Sequence, residues 1–166
     1  MPDTASPISI RRVTPADVSL VLDLIRGLAD YEHEPDAVVT TEDQLQQALF
    51  GERPAAEAVI AYYKDEPAAL ALWFQNFSTW TGRPGLWLED LFVRPAYRRF
   101  GIGRALLVYL ARLARDREYG RFEWSVLDWN QPSIDFYRSL GAEAMDAWTI
   151  YRLTGTSLER LAGEGE

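Results

Sequence analysis

Two acidic residues interrupt an otherwise apolar run, Leu86-Trp87-Leu88-Glu89-Asp90-Leu91-Phe92-Val93. The run reads as a buried strand, where a carboxylate is expensive unless it reaches a cleft, water or a partner. That cost marks Glu89 and Asp90 as candidate groups for proton transfer or for holding a cation. The alternative is a capped or salt-bridged pair at the strand's end. Strand alternation sends the two side chains to opposite faces. The second chemical feature follows at once. Arg98-Arg99-Phe100-Gly101-Ile102-Gly103-Arg104 leads into a segment from Gly103 to Tyr119 where Leu106, Leu107, Leu110 and Leu113 recur at helical spacing. Two glycines between a strand and a helix let backbone N–H groups converge at the helix N-terminus. Such a point attracts anions, phosphate above all, and the arginines add positive charge.

The ligand class is narrowed by what this turn lacks. A dinucleotide fingerprint needs a third Gly or Ala where Leu106 stands. A Walker loop needs Gly-Lys-Ser/Thr, and Gly103-Arg104-Ala105 does not supply it. What remains, Arg98-x-x-Gly101-x-Gly103, resembles the pyrophosphate loop of the GNAT superfamily of acetyl-CoA-dependent N-acetyltransferases. The bland alternative is a glycine-hinged turn with solvated arginines.

The elements that must position these groups can be read in order. Ile8 to Val13 alternates like a strand, and Thr14-Pro15-Ala16-Asp17 opens a helix, with Thr14 as N-cap, that ends near Tyr31. Thr41-Glu42-Asp43-Gln44 has the form of a capping box and starts a helix to Phe50. Ala58–Tyr63 and Ala68–Phe77 flank a Lys-Asp-Glu-Pro turn and read as a hairpin. After the glycine turn and its helix come a strand at Phe122–Leu127, a helix at Pro132–Leu140 stopped by Gly141, and a closing strand at Thr149–Leu153. Ser157–Leu161 adds a terminal helical turn. The expected fold is α/β: one domain over residues 1–166, with a mixed, mostly antiparallel sheet of about six to seven strands and helices on both faces.

Composition bounds the function. The 166 residues are 48 % hydrophobic, enough for one globular core. The net charge of −8 argues against a general nucleic-acid binder and suits a cationic substrate. Cysteine is absent, which removes disulfides, thiolate metal sites and a cysteine nucleophile. The lone His33 with scattered carboxylates suggests no metal site. No apolar run approaches membrane-spanning length, and Met1 to Ser6 lacks the features of a signal peptide, so a cytoplasmic protein is expected.

A second signature, Asn130-x-x-Ser133-x-x-x-Tyr137-x-x-x-Gly141, resembles the second GNAT motif, at the expected distance after the first. Physically it is also an ordinary helix, capped by Asn130, with Ile134, Phe136, Tyr137 and Leu140 facing inward. The resemblance narrows on Leu24–Glu32, Leu88–Val93 and Leu127-Asp128-Trp129-Asn130-Gln131. These are similar to the spermidine/spermine (diamine) N-acetyltransferase and thialysine acetyltransferase family, and the last is closer to the thialysine branch. One departure is Arg99, where the family commonly has Gly.

The resemblance implies direct transfer of acetyl from acetyl-CoA to a primary amine, with a splayed cleft for the pantetheine. It gives Glu89 a water-mediated base role and Tyr137 the proton donation to the leaving thiolate, since a phenol titrates near 10, close to a thiol. A backbone N–H near Leu91 or Phe92 polarises the carbonyl. Leu91, Phe92, Val93, Arg98, Arg99, Phe100, Gly101, Ile102, Gly103, Arg104, Asn130 and Tyr137 form the acetyl-CoA site. Tyr31, Glu32, Trp80, Glu89 and Asp90 meet the amine, through carboxylate and cation–π contacts. A homodimer is expected by the same resemblance. The other readings are a protein or peptide N-acetyltransferase and, from a different class, a non-catalytic acyl-CoA-binding regulatory domain.

Overall fold

Apolar, β-branched and aromatic residues between Glu57 and Val93 make a three-stranded meander at the centre of one sheet. In a computed structural model the described residues are 6–164, so the signal-peptide reading of Met1 to Ser6 lies almost wholly outside them. The strands are β1 (Ile8–Arg12), β2 (Glu57–Tyr63), β3 (Glu66–Ser78), β4 (Arg83–Val93) and β5 (Arg121–Trp124), in that spatial order. The first three pairings are antiparallel and β4–β5 is parallel. Lys64 and Asp65 both have positive φ, the backbone that a two-residue hairpin loop requires, and they join β2 to β3.

The helices of this part are α1 (Val18–Tyr31), α2 (Glu42–Phe50) and α3 (Ile102–Asp116). Thr14 N–H and Oγ1 both donate to Asp17, and a 3-10 turn at Pro15–Asp17 feeds α1. The capping box of α2 is present: Gln44 N–H donates to Thr41 Oγ1 at 3.2 Å and Thr41 N–H to Gln44 Oε1 at 2.9 Å. Val18, Val21, Leu22 and Leu24 of α1 and Leu45 and Leu49 of α2 bury one sheet face, against Ala58, Ile60, Leu70, Leu72 and Phe92. The alternate residues Val59, Ala61, Ala69, Ala71 and Trp73 are also buried, and α3 covers them with Ile102, Leu106, Leu107 and Leu110. Both faces are therefore dry, as the apolar strands require.

Residues through Ser125 form one compact unit and Val126 onward a second. The second contains α4 (Gln131–Ser139) and α5 (Gly155–Ala162). Asn130 Oδ1 accepts from Ser133 N–H at 3.4 Å and caps α4, while Gly141, with φ +87, ends it. The expectation of six to seven strands is corrected to five among the described residues. A strand exists only where a neighbour supplies its ladder of hydrogen bonds. The chain beyond Trp124 turns at Leu127–Asn130 instead of extending β5, and Thr149–Leu153 alternates correctly but enters no ladder.

Candidate active site

The carboxylates sit at an irregularity in β4. Leu88 pairs with Trp73 and Asp90 with Leu72, so Glu89 is one extra residue opposite an unbroken partner strand. This β-bulge changes the face of everything beyond it. Trp87, Asp90 and Phe92 pair with Phe74, Leu72 and Leu70 and face α1, whereas Leu88, Leu91 and Val93 face α3. The Trp87 indole N–H donates to Glu89 Oε2 at 3.0 Å, which draws Glu89 to the Trp87 side. The expectation that Glu89 and Asp90 point to opposite faces is thus overturned. Strict alternation fails where a residue is inserted, and both carboxylates lie toward α1.

Burial dominates the chemistry of Asp90. It pushes the carboxyl up to about 6, with the charges of Glu89 and Glu32 pushing the same way. Burial also raises Glu32. Glu32 comes from the C-terminal end of α1, brought down to β4 by Gly27. A Cβ at Gly27 would stand 2.7 Å from the Phe92 ring, so only glycine lets the helix lie this close. Three carboxylates in a partly dry pocket repel one another and attract an ammonium group.

The edge of β4 supplies a donor. Parallel pairing with β5 covers only Gly85–Leu88. Beyond Leu88 no described strand pairs with that side of β4. Arg94 N–H donates to Ala68 O, so Arg94 and, by antiparallel alternation, Phe92 direct their backbone groups toward β3. Leu91 and Val93 direct theirs the other way, and Val93 O accepts from Arg98 Nε at 3.1 Å on that side. Between Leu91 and Phe92, it is Leu91 whose N–H faces that side.

The glycine turn follows a 3-10 turn at Pro95–Tyr97, which Arg94 anchors through Asp23 Oδ2 at 2.7 Å and Pro67 O at 3.0 Å. Phe100 stacks on Tyr63 with ring centroids 4.7 Å apart and pins the loop. Gly101, φ +80, is the left-handed N-cap of α3, and a Cβ there would meet nothing within 4 Å. At Gly103 a Cβ would meet only Val93 Cγ2, at 3.8 Å. Backbone N–H groups therefore face open space at the positive end of a 15-residue helix, flanked by Arg99 and Arg104. This cradle fits a pyrophosphate. Arg99 also has positive φ, +69, which explains why glycine suits that position.

Arg98 behaves differently from its neighbours. Its guanidinium lies over the Tyr31 ring, 4.6 Å from the centroid, on the α1 side. Tyr31 already carries a cation on its face, a pairing no sequence pattern signalled. Trp80 lies in the turn before Arg83, at the other end of β4 from Asp90, which is about 23 Å from Arg83 along the strand at 3.3 Å per residue. In the second unit Asn130 is buried, and Tyr137, half-buried on α4, has its ring 5.7 Å from that of Phe136. Sequence reasoning missed Trp87 and Gly27. A glycine in mid-helix was the available signal for the second. Among the described residues no three or more His, Cys, Asp or Glu side chains are arranged to hold a metal ion, and no helix is long and apolar enough to cross a membrane.

Comparison with known proteins agrees with this geometry. Residues 23–142 match the model of the acetyltransferase (GNAT) family. Thialysine N-epsilon-acetyltransferase of Caenorhabditis elegans is 36 % identical over 155 residues, covering 92 % of this chain and 95 % of that protein. That of Sus scrofa is 34 % identical over 168 residues, covering 95 % and 98 %. An integron cassette protein from the mobile metagenome of V. cholerae has the same fold, with a TM-score of 0.80 at 24 % identity, over 96 % of this chain and 99 % of that one. Members of the family use acetyl-CoA as co-substrate. From the family match and these relatives, we conclude that this chain belongs to the GNAT acetyltransferase family and is an N-acetyltransferase.

Proposed function

We propose that the chain acetylates the side-chain amine of a small cationic amino acid of the thialysine or lysine type, with polyamines as weaker acceptors. The observation that carries this reading is the gathering of Asp90 and Glu89 of β4 with Glu32 at the end of α1, beyond the stretch of β4 that pairs with β5. Their combined charge suits a flexible ammonium, and the relatives named for thialysine point to the same class.

Bound acetyl-CoA supplies the acetyl thioester. The backbone of Arg98–Gly103 with Arg99 and Arg104 holds its pyrophosphate, and Phe100 and Ile102 serve by shaping that loop. Leu91 N–H donates to the thioester carbonyl, and Phe92 and Val93 continue the strand that lines the pantetheine. Asn130 fixes the start of α4 on the pantetheine side. An alkyl ammonium near pKa 10.4 must lose a proton before it can attack. Asp90 and Glu32 hold the ammonium, and Glu89 takes its proton through a water molecule. Tyr137 Oη gives its proton to the departing sulfur. The resemblance to the polyamine enzymes implies a homodimer.

The test is a side-by-side measurement of kcat/KM for thialysine, lysine, putrescine, spermidine and spermine. Thialysine should lead. A tenfold or larger preference for spermidine, about 1.4 kcal/mol, contradicts the amino-acid acceptor while leaving the enzyme class intact.

A further inference from the structure

An amino-acid acceptor brings a carboxylate as well as an ammonium, and a carboxylate leaving water needs a donor. Arg98 belongs to the glycine turn by sequence, and its side chain reaches the Val93 carbonyl and the Tyr31 ring. Its Nε donates to Val93 O at 3.1 Å and its guanidinium carbon lies 4.6 Å from the Tyr31 ring centroid. Among the described residues neither terminal nitrogen has a hydrogen-bond partner. A guanidinium seated over an aromatic ring with both terminal nitrogens unpaired can grip a carboxylate with two parallel bonds.

The spacing is suitable. Val93 stands three residues beyond Asp90 on β4, about 10 Å at 3.3 Å per residue. In thialysine six bonds of about 1.5 Å separate the side-chain nitrogen from the carboxylate carbon, roughly 7–8 Å when extended. Tyr31 and Glu32 are adjacent at the end of α1, so the arginine and the acidic group share one wall. The wall is negative at one end and positive at the other, which matches a zwitterion better than a polyamine.

We propose that Arg98 is a specificity-determining residue whose guanidinium, seated on Tyr31, pairs with the carboxylate of an amino-acid acceptor held by its side-chain ammonium at Asp90 and Glu32. This rests on the acceptor reading above and adds the group that selects amino acids over diamines.

The experiment compares thialysine with bis(2-aminoethyl) sulfide, the same chain without the carboxylate. The readout is the ratio of their kcat/KM values, in which any common effect on acetyl-CoA cancels. Wild type should favour thialysine at least tenfold, and Arg98→Gln should lower that ratio at least tenfold. Arg98→Lys, which keeps the charge but loses the fork, should fall between. Arg98 is exposed, so both variants should fold. Equal losses on both amines in Arg98→Gln would overturn the proposal and return the side chain to the phosphate. A wild-type ratio near one would overturn it too. Failure of wild type to acetylate either amine would contradict the acceptor reading itself, and this inference with it.

Discussion

At the scale of single residues, burial and one hydrogen bond set the chemistry. Asp90 is raised from 3.8 to about 6, so between those values the folded carboxyl keeps a proton that the unfolded chain has lost. Folding then binds protons, and stability falls as pH rises through that window. Asp90→Asn should remove this loss and gain about 2–3 kcal/mol of stability at pH 7.5 relative to wild type, with little gain at pH 3. Urea unfolding at both pH values checks it, and an equal difference at each would contradict the assignment. The same variant should bind the amine less well, a cost in function for a gain in stability. Trp87 acts through Glu89. Trp87→Phe keeps the ring and deletes the donor, and should lower turnover about three- to tenfold, as for one hydrogen bond of 0.5–1.5 kcal/mol. In a Glu89→Ala background the further loss should vanish. Equal losses in both backgrounds would reduce Trp87 to a packing role. Neither effect was legible in the sequence beyond the oddity of two acids in an apolar strand. The bulge depends on how β4 registers against β3, and register is a property of two segments.

At the scale of elements, glycines decide what can approach what. Gly27 brings α1 onto Phe92, and a Cβ 2.7 Å from that ring has nowhere to go because Phe92 is buried. Alanine favours a helix over glycine by about 1 kcal/mol, yet overpacking here costs about 1–3 kcal/mol. Gly27→Ala should therefore lower the unfolding midpoint and raise KM for the amine as Tyr31 and Glu32 are pushed off β4. Unchanged KM would detach α1 from the acceptor site. Gly103 is the contrary case. Its surroundings are open, so Gly103→Val should fold normally while weakening CoA binding at least tenfold in titration calorimetry. Unchanged affinity would remove the phosphate cradle. The glycine turn, the Thr41–Gln44 capping box and the Gly141 stop were legible because each is enforced by a few adjacent residues. The alternating stretch Thr149–Leu153 misled because alternation gives a strand only its faces, not its neighbour. The orientation of Arg98 was not legible either: its place in the motif was readable, but where its side chain lies depends on Tyr31, 67 positions earlier in the chain.

At the scale of the whole molecule, β4 outruns β5, and among the described residues its stretch beyond Leu88 has a strand partner on one side only. The backbone donor, the carboxylates and the phosphate turn are all arranged along that one strand and its exit. The net charge of −8 adds a long-range attraction for cationic acceptors. In the function proposed above, this edge passes acetyl from acetyl-CoA directly to the side-chain nitrogen of a lysine-like amino acid. The most direct measurement follows free thiol and product together, incubating the protein with acetyl-CoA and thialysine and locating the acetyl group by mass spectrometry. The account predicts amine-dependent thiol release matched one for one by thialysine acetylated on its side-chain nitrogen. Binding of acetyl-CoA with no thiol release, or acetyl found on the α-nitrogen, would contradict it.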